Sequence, residues 1–499
     1  MSETTELIFL LVAAFLAAAG MAAASPKPRW TLFGAALVTA FALICGLAWD
    51  GPLEGPRREP LLLGVAVILL LAGLGLLAWF LRSRWNLVPL LLIAALPFRI
   101  PVDLGGSTSN LLVPLYLLIA GSVIAAIWNS IGDRPDSARG LSKRPLDLAL
   151  AIAVVVFAVQ AVYSADVSSA ARTVGFFLVP FAAAYGLLSR VEWNRELLLR
   201  GLAVVGVEAG VFALVGIVQA VYGEIFWNPA LMASNDFHLY FRANSLFWDP
   251  NIFGRYLALA ITVIVSALVW IDDRRRSSYL ALVVAFLWAG LLFAWSQSSF
   301  ISLIVGLLIL VALRYRLRWA LVAAPIAVIG VIVAVVAGAG DGDSRGAAAA
   351  ATSGRTSLVS GGLALAADRP FAGWGSGAFS SAFAQREGLD PDQTSVSHNE
   401  VVTVAAEQGL VGLLVYALVL AVSAWTLFGS ISAVAPGLGG SLPRGLEPAS
   451  RVQARIALAG AFCLIFAHTM GYAGFFTDPL TWAILAVAAS LTGRKGERA

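Results

Sequence analysis

The chain has 499 residues, of which 60% are hydrophobic and 12% charged, and its mean hydropathy is +0.86. Soluble domains carry about twice that charged fraction, so a water-soluble globular domain is excluded, and a net charge of +4 in such a chain is no nucleic-acid signal. Cys45 and Cys463 both lie in apolar runs, which implies no disulfide framework, and no Cys/His cluster has metal-ligand spacing.

A membrane span needs about 20 apolar residues. Fifteen runs of this kind occur, near 7–24, 30–49, 60–81, 84–98, 109–128, 146–164, 168–188, 198–222, 251–270, 278–296, 298–314, 318–338, 400–427, 455–472 and 475–492. The first could be misread as a signal peptide. The preceding Met-Ser-Glu-Thr-Thr-Glu is acidic, whereas a signal peptide begins basic, so a retained helix is expected. The run at 84–98 is short, and a tight polar turn separates 278–296 from 298–314, so either place could be re-entrant. The expectation is an all-α fold: a polytopic transmembrane helical bundle of about 12–15 spans, with a large, partly helical extracytoplasmic loop before a C-terminal group of spans.

Basic residues orient the bundle. Of 33 Lys and Arg, 23 fall in alternate connections on one side, which is expected to be cytoplasmic. The other side holds ten, all Arg: 57, 58, 99, 172, 242, 255, 345, 355, 369 and 386. The N-terminus is therefore expected outside and the C-terminus inside. Four segments follow: N-terminal transmembrane helices over 1–145, central transmembrane helices over 146–338 with an outer loop at 223–250, an extracytoplasmic loop over 339–399, and C-terminal transmembrane helices over 400–499. The Gly/Ser/Pro-rich stretch 434–450 reads as a cytoplasmic linker.

Chemistry concentrates on the outer face. Arg172 sits just inside an apolar helix, where an intramembrane Arg is a functional candidate and a headgroup contact is the plain alternative. Arg242 and Arg255 flank Pro250, which breaks the chain before a span, and Asn251 is a possible helix cap; snorkelling is the plain reading of both arginines. In the larger loop a helix is predicted over 353–368, ended by Pro370. Arg355 falls in its first turn, where free N–H groups favour an anion and a guanidinium can grip two phosphate oxygens. Gly373, Gly375 and Gly377 then permit a tight turn or a close approach to ligand.

His398, with Asn399 and Glu400, stands where this polar loop enters a long apolar helix. It is one of three histidines, and imidazole exchanges protons near neutral pH, so a chemical role outweighs packing. His238 has no distinctive context, and His468 reads as a mid-helix residue hydrogen-bonded in the bundle. Gly409 and Gly412 would let another helix approach. Glu407 falls on the helical face away from His398. Asp341-Gly342-Asp343 lies in a flexible Ala/Gly run and makes a poor metal motif.

His398-Asn399, then nine residues, then Gly409-x-x-Gly412 resembles the signature of the O-antigen ligase and O-antigen polymerase superfamily. Arg242-x-x-Ser245-x-Phe247-x-x-Pro250-Asn251 looks like that family's approach to a span after the smaller outer loop. Gly354-Arg355 and Pro370-Phe371-x-Gly373-x-Gly375 look like its large-loop pattern. Trp295-Ser296-Gln297-Ser298-Ser299 resembles its Ser-Arg turn, but the Arg is replaced, so no role is carried over. The resemblance covers about residues 200–420. It implies glycan transfer from an undecaprenyl-diphosphate carrier to a glycan or lipid acceptor hydroxyl, on the outer face of the cell inner membrane, with no metal or cofactor and no nucleic acid. On this reading His398, Arg355 and Arg242 are catalytic, and Arg255, Arg172, Asn399 and Gly375 bind the diphosphate or substrate. Ligase and polymerase chemistry share these motifs. A transporter or flippase of lipid-linked glycans is the alternative; Glu208, inside a span, is the residue that favours it.

Overall fold

The structure is a computed structural model that describes residues 1–49, 53–104, 107–131, 141–237, 240–316, 318–323, 355–390, 394 and 396–492. Among these, twelve helical segments are long and apolar enough to cross a membrane. They are α1 (Glu3–Ala22), α2 (Pro26–Leu47), α4 (Pro60–Ser83), α6 (Val113–Ser130), α7 (Pro145–Gln160), the pair α8 (Val167–Thr173) and α9 (Val179–Leu188) joined by a π-turn, α10 (Arg195–Tyr222), α12 (Pro250–Leu268), α13 (Arg274–Ala294), α14 (Gln297–Arg314), α17 (Glu400–Phe428) and α18 (Leu446–Thr469). Shorter helices are α3 (Glu54–Arg57), α5 (Val88–Ala95), α11 (Pro229–Phe237), α15 (Arg355–Asp368), α16 (Phe379–Glu387) and α19 (Pro479–Thr492). The protein is a polytopic helical membrane bundle.

The span expected at 318–338 lies outside the described residues beyond 323, as do His238, the Asp341/Asp343 pair and the lead-in before 355. The two possible re-entrant places resolve differently. Runs 278–296 and 298–314 are two full spans, α13 and α14. Trp295 turns between them at φ +46°, and the Ser296 hydroxyl accepts from Ser299 N–H at 3.3 Å to start the second. The 84–98 run is the short helix α5, too short to cross by itself. One feature departs from the all-helical expectation: a small antiparallel hairpin, β1 (Ile100–Leu104) with β2 (Ser107–Leu111), joins α5 to α6.

Burial sorts the helices. On α4, Leu61, Leu62, Ile68, Leu69, Leu71 and Leu76 are 61–80% exposed, an apolar area far too large to face water and suited to lipid. In contrast, α12 is buried from Pro250 to Thr262 and α9 along its whole length, so both lie at the centre. A charged staple closes one end of the bundle. Buried Asp147 on α7 accepts from Tyr185 Oη and Ser142 Oγ, both at 2.6 Å, and pairs with Arg190 at 2.5 Å. Within the 434–450 stretch, Gly437 packs against α14, where a Cβ would lie 1.9 Å from the Ala312 carbonyl oxygen, while residues 444–448 are exposed.

Candidate active site

The large loop is docked onto a broken helix. Inside α17, Gly409 has φ +61° and ψ −155°, which frees backbone groups that lipid cannot satisfy. The loop satisfies them. Trp374 and Gly375 N–H donate to the carbonyls of Ala406 (3.0 Å) and Glu407 (2.8 Å), while Leu410 and Val411 N–H donate to those of Pro370 (2.8 Å) and Phe371 (3.3 Å). Gln160 Nε2 donates to the Gln408 carbonyl at 3.0 Å. Gly409 thus admits a loop, not the neighbouring helix expected from its spacing with Gly412; a Cβ there would lie 2.5 Å from the Phe371 carbonyl.

Glu407 completes the anchor. Its carboxylate accepts from Gly377 N–H at 2.9 Å and Phe379 N–H at 3.1 Å, at the start of α16. Removing it orphans two donors, each costing about 1–3 kcal/mol when buried. Glu407→Ala should therefore make residues 370–390 at least about tenfold more susceptible to limited proteolysis, with membrane insertion intact. Unchanged cleavage would mean that the backbone bonds alone hold the loop.

The loop returns to α17 through His398, whose φ is +58°, a left-handed value uncommon outside glycine and found in functional segments. Asn399 caps α17 by accepting from Val402 N–H at 3.2 Å, and its Nδ2 donates to the Met470 carbonyl at 3.2 Å. Glu400 accepts from Gly474 N–H (2.6 Å) and Phe475 N–H (3.1 Å). These contacts tie the start of α17 to the turn after α18.

That turn places Tyr472 at the centre of a polar cluster. Its ring centroid lies 6.0 Å from the His398 ring and 5.9 Å from the His468 ring. The Arg255 guanidinium carbon sits 5.9 Å from the same centroid. Tyr472 Oη donates to Asp249 Oδ2 at 3.2 Å. Asp249, not Asn251, caps α12, its Oδ1 accepting from Asn251 N–H at 2.7 Å; Pro250 supplies the first helical residue. Arg255 Nη2 pairs with Asp478 Oδ2 at 3.1 Å, both side chains being 2% exposed. The Nε and Nη1 of Arg255 are buried without a hydrogen-bond partner.

Arg99, from the segment after α5, joins the group. Burial pushes its pKa down, against the attraction of Asp478 and with the repulsion of Arg255. Burial and then the Asp249 carboxylate push the Tyr472 phenol well up, so it stays protonated and can donate. His468 lies in the last turn of α18 rather than mid-helix, and its Nε2 lies 3.2 and 3.3 Å from the hydroxyls of Ser298 and Ser299. Ser296 Oγ donates to Asn251 Oδ1 at 2.8 Å. The Trp295–Ser299 turn, given no role from sequence, is thereby part of the wall.

The other sequence-derived residues are placed as follows. Arg242 pairs its backbone with the Asn235 amide (3.0 and 3.2 Å), and its Nε is buried with no hydrogen-bond partner. Arg172 is exposed at the end of α8. Arg355 is the first residue of α15; its side chain lies outside the described part. Gly375, at φ +97°, approaches Ser164, and a Cβ would lie 2.2 Å from the Ser164 Cα. Asn399 and Gly375 are therefore both engaged in scaffold contacts. Arg99, Asp249, Tyr472 and Asp478 were not singled out from sequence. The one legible signal was Asp before Pro at a helix start, present at both Asp249-Pro250 and Asp478-Pro479.

A helical bundle with twelve segments long and apolar enough to cross a membrane among its described residues, and with a buried polar cluster at one end under a loop that a broken span holds in place, defines a multi-pass membrane protein with a candidate site at that end. Residues 282–417 match a family model described as O-antigen ligase. Over that stretch the chain is similar to O-antigen ligases, the family whose motifs the sequence carries, and this supports a role in joining or polymerising glycans at a membrane. No curated protein matches the chain. The matched stretch contains His398, Arg355, Gly375 and Ser296–Ser299; Arg99, Asp249, Arg255 and Tyr472 come from outside it.

Proposed function

We propose that this protein transfers a glycan from an undecaprenyl-diphosphate carrier to an acceptor hydroxyl, on the extracytoplasmic face of the inner membrane. The observation that carries the reading is the meeting of His398 with Tyr472 and Arg255, where two guanidine nitrogens of a buried arginine have no partner. Unused guanidinium donors in a dry site favour a phosphate oxygen. Arg255 and Arg99 then hold the diphosphate, with Arg242 and Arg355 at its approach. His398 takes the proton from the acceptor hydroxyl as it attacks the anomeric carbon. The C–O bond to the diphosphate breaks, the carrier leaves as an anion, and the cations stabilise the charge it gathers. A single displacement inverts the anomeric centre.

On this reading the described parts of the segments named from sequence divide the labour: spans within 1–145 and 146–338, a roof formed by residues 355–390 of the loop, and a closing group within 400–499. The distribution of basic residues puts the N-terminus outside and the C-terminus in the cytoplasm. Glu208 accepts from Tyr256 Oη at 2.7 Å, which gives the lone carboxyl of the transporter alternative a structural partner. Deleting the gene and sizing the surface glycan tests the reading. Shortened chains mark a polymerase, and full-length chains stranded on the lipid carrier mark a ligase. An unaltered surface glycan would sink both.

A further inference from the structure

We infer that the bundle holds a zwitterionic glycerophospholipid in an apolar slot that opens on the face opposite the site; this stands independently of the glycan reading. A cavity of about 600 Å³ runs between α5, α10, α12, α18 and α19, a volume in the range of ligand pockets. Its walls are mainly Leu, Val, Ile and Ala, with Trp193, Trp270, Ser266, Ser450 and Gln453 among them. Exposure is graded along it. Tyr256, Leu96 and Leu480 close one end at 2%, 6% and 8% exposed, just below Arg255 and Asp478. At the other end, Arg195, Asp272, Asp273 and Arg276 are exposed at the starts of α10 and α13.

The rim selects the occupant. Asp273 caps α13 and pairs with Arg276 at 3.5 Å, so these two neutralise one another. Among the described residues, Arg195 and Asp272 have no ion-pair partner. The Glu447 carboxylate also accepts from Arg195 N–H at 3.1 Å, so the rim carries both signs, and a rim of mixed sign above a blind apolar slot complements a headgroup that carries both a phosphate and an ammonium. The phosphate faces Arg195, the ammonium faces Asp272, and one acyl chain fills the slot. Under the orientation proposed above, the lipid comes from the inner leaflet.

The test uses the full chain in nanodiscs containing equal phosphatidylethanolamine and phosphatidylglycerol, followed by detergent extraction and native mass spectrometry. One phosphatidylethanolamine per chain should be retained. Ala483→Trp, which fills the slot, should lower retention by about tenfold, and Arg195→Ala with Asp272→Asn should abolish the preference over phosphatidylglycerol. Where the variants fold poorly, wild type answers: brominated-chain phosphatidylethanolamine should quench Trp193 and Trp270, which line the slot, more than brominated phosphatidylglycerol does. Equal retention of both lipids, undiminished retention in Ala483→Trp, or displacement of the lipid by polyprenyl phosphate would overturn the assignment.

Discussion

Alanine at position 398 is expected to lower glycan transfer by about 10²–10⁴-fold, the usual contribution of a positioned general base. His398 is held at φ +58° between a roof pinned by Glu407 and a helix start pinned to Met470 and Gly474. Alanine in that conformation is strained, so loss of activity alone would not separate chemistry from backbone. Asparagine tolerates the left-handed region and offers no base. His398→Asn should therefore lose as much activity as His398→Ala while unfolding near the wild-type temperature. Transfer from a purified lipid-linked donor in vesicles is the measurement. Asparagine at wild-type rates would remove the imidazole from the mechanism.

The second large effect is at Arg255. It forms a buried ion pair with Asp478, and breaking such a pair by removing one partner costs about 3–5 kcal/mol, because the other charge is left buried. Arg255→Ala should depress both stability and activity, and by itself would prove little. Arg255→Lys discriminates. Lysine keeps a charge opposite Asp478 and loses the planar fork, including the two nitrogens that have no hydrogen-bond partner among the described residues. Stability should fall little, while donor affinity should weaken by about 10–150-fold, the equivalent of one charge-assisted hydrogen bond of roughly 1.5–3 kcal/mol. A lysine variant with unchanged donor KM would mean that Arg255 serves only to hold Asp478 and the start of α19.

Arg255 and Asp478 lie 223 positions apart in the chain, and no property of either segment alone announces the other. The same holds for Tyr472. Its position just past α18 looks like an ordinary aromatic at a lipid boundary, yet besides its local neighbour His468 it lies beside His398 and Arg255, from two other parts of the molecule. His468 was read as a buried, hydrogen-bonded histidine and is one. Gly409 was recognised as a close-approach position, but the partner was misjudged. A glycine in an apolar helix commonly marks helix packing, and only the loop's own backbone bonds show that this one is a break.

The amino-acid sequence alone determined the class and the lateral plan: an apolar helical bundle, its long spans, a helix over 353–368, which the structure describes from Arg355 to Asp368, and a polar loop feeding His398 into a span. These follow from local quantities, namely hydropathy over a bilayer's thickness and the backbone preferences of Pro, Gly and Asp. The tertiary structure decided which polar groups meet. A buried charge is tolerated where another element supplies its partner, and the partners of Arg255, Tyr472, Glu400 and Glu407 are fixed by helix packing across hundreds of residues rather than by spacing along the chain.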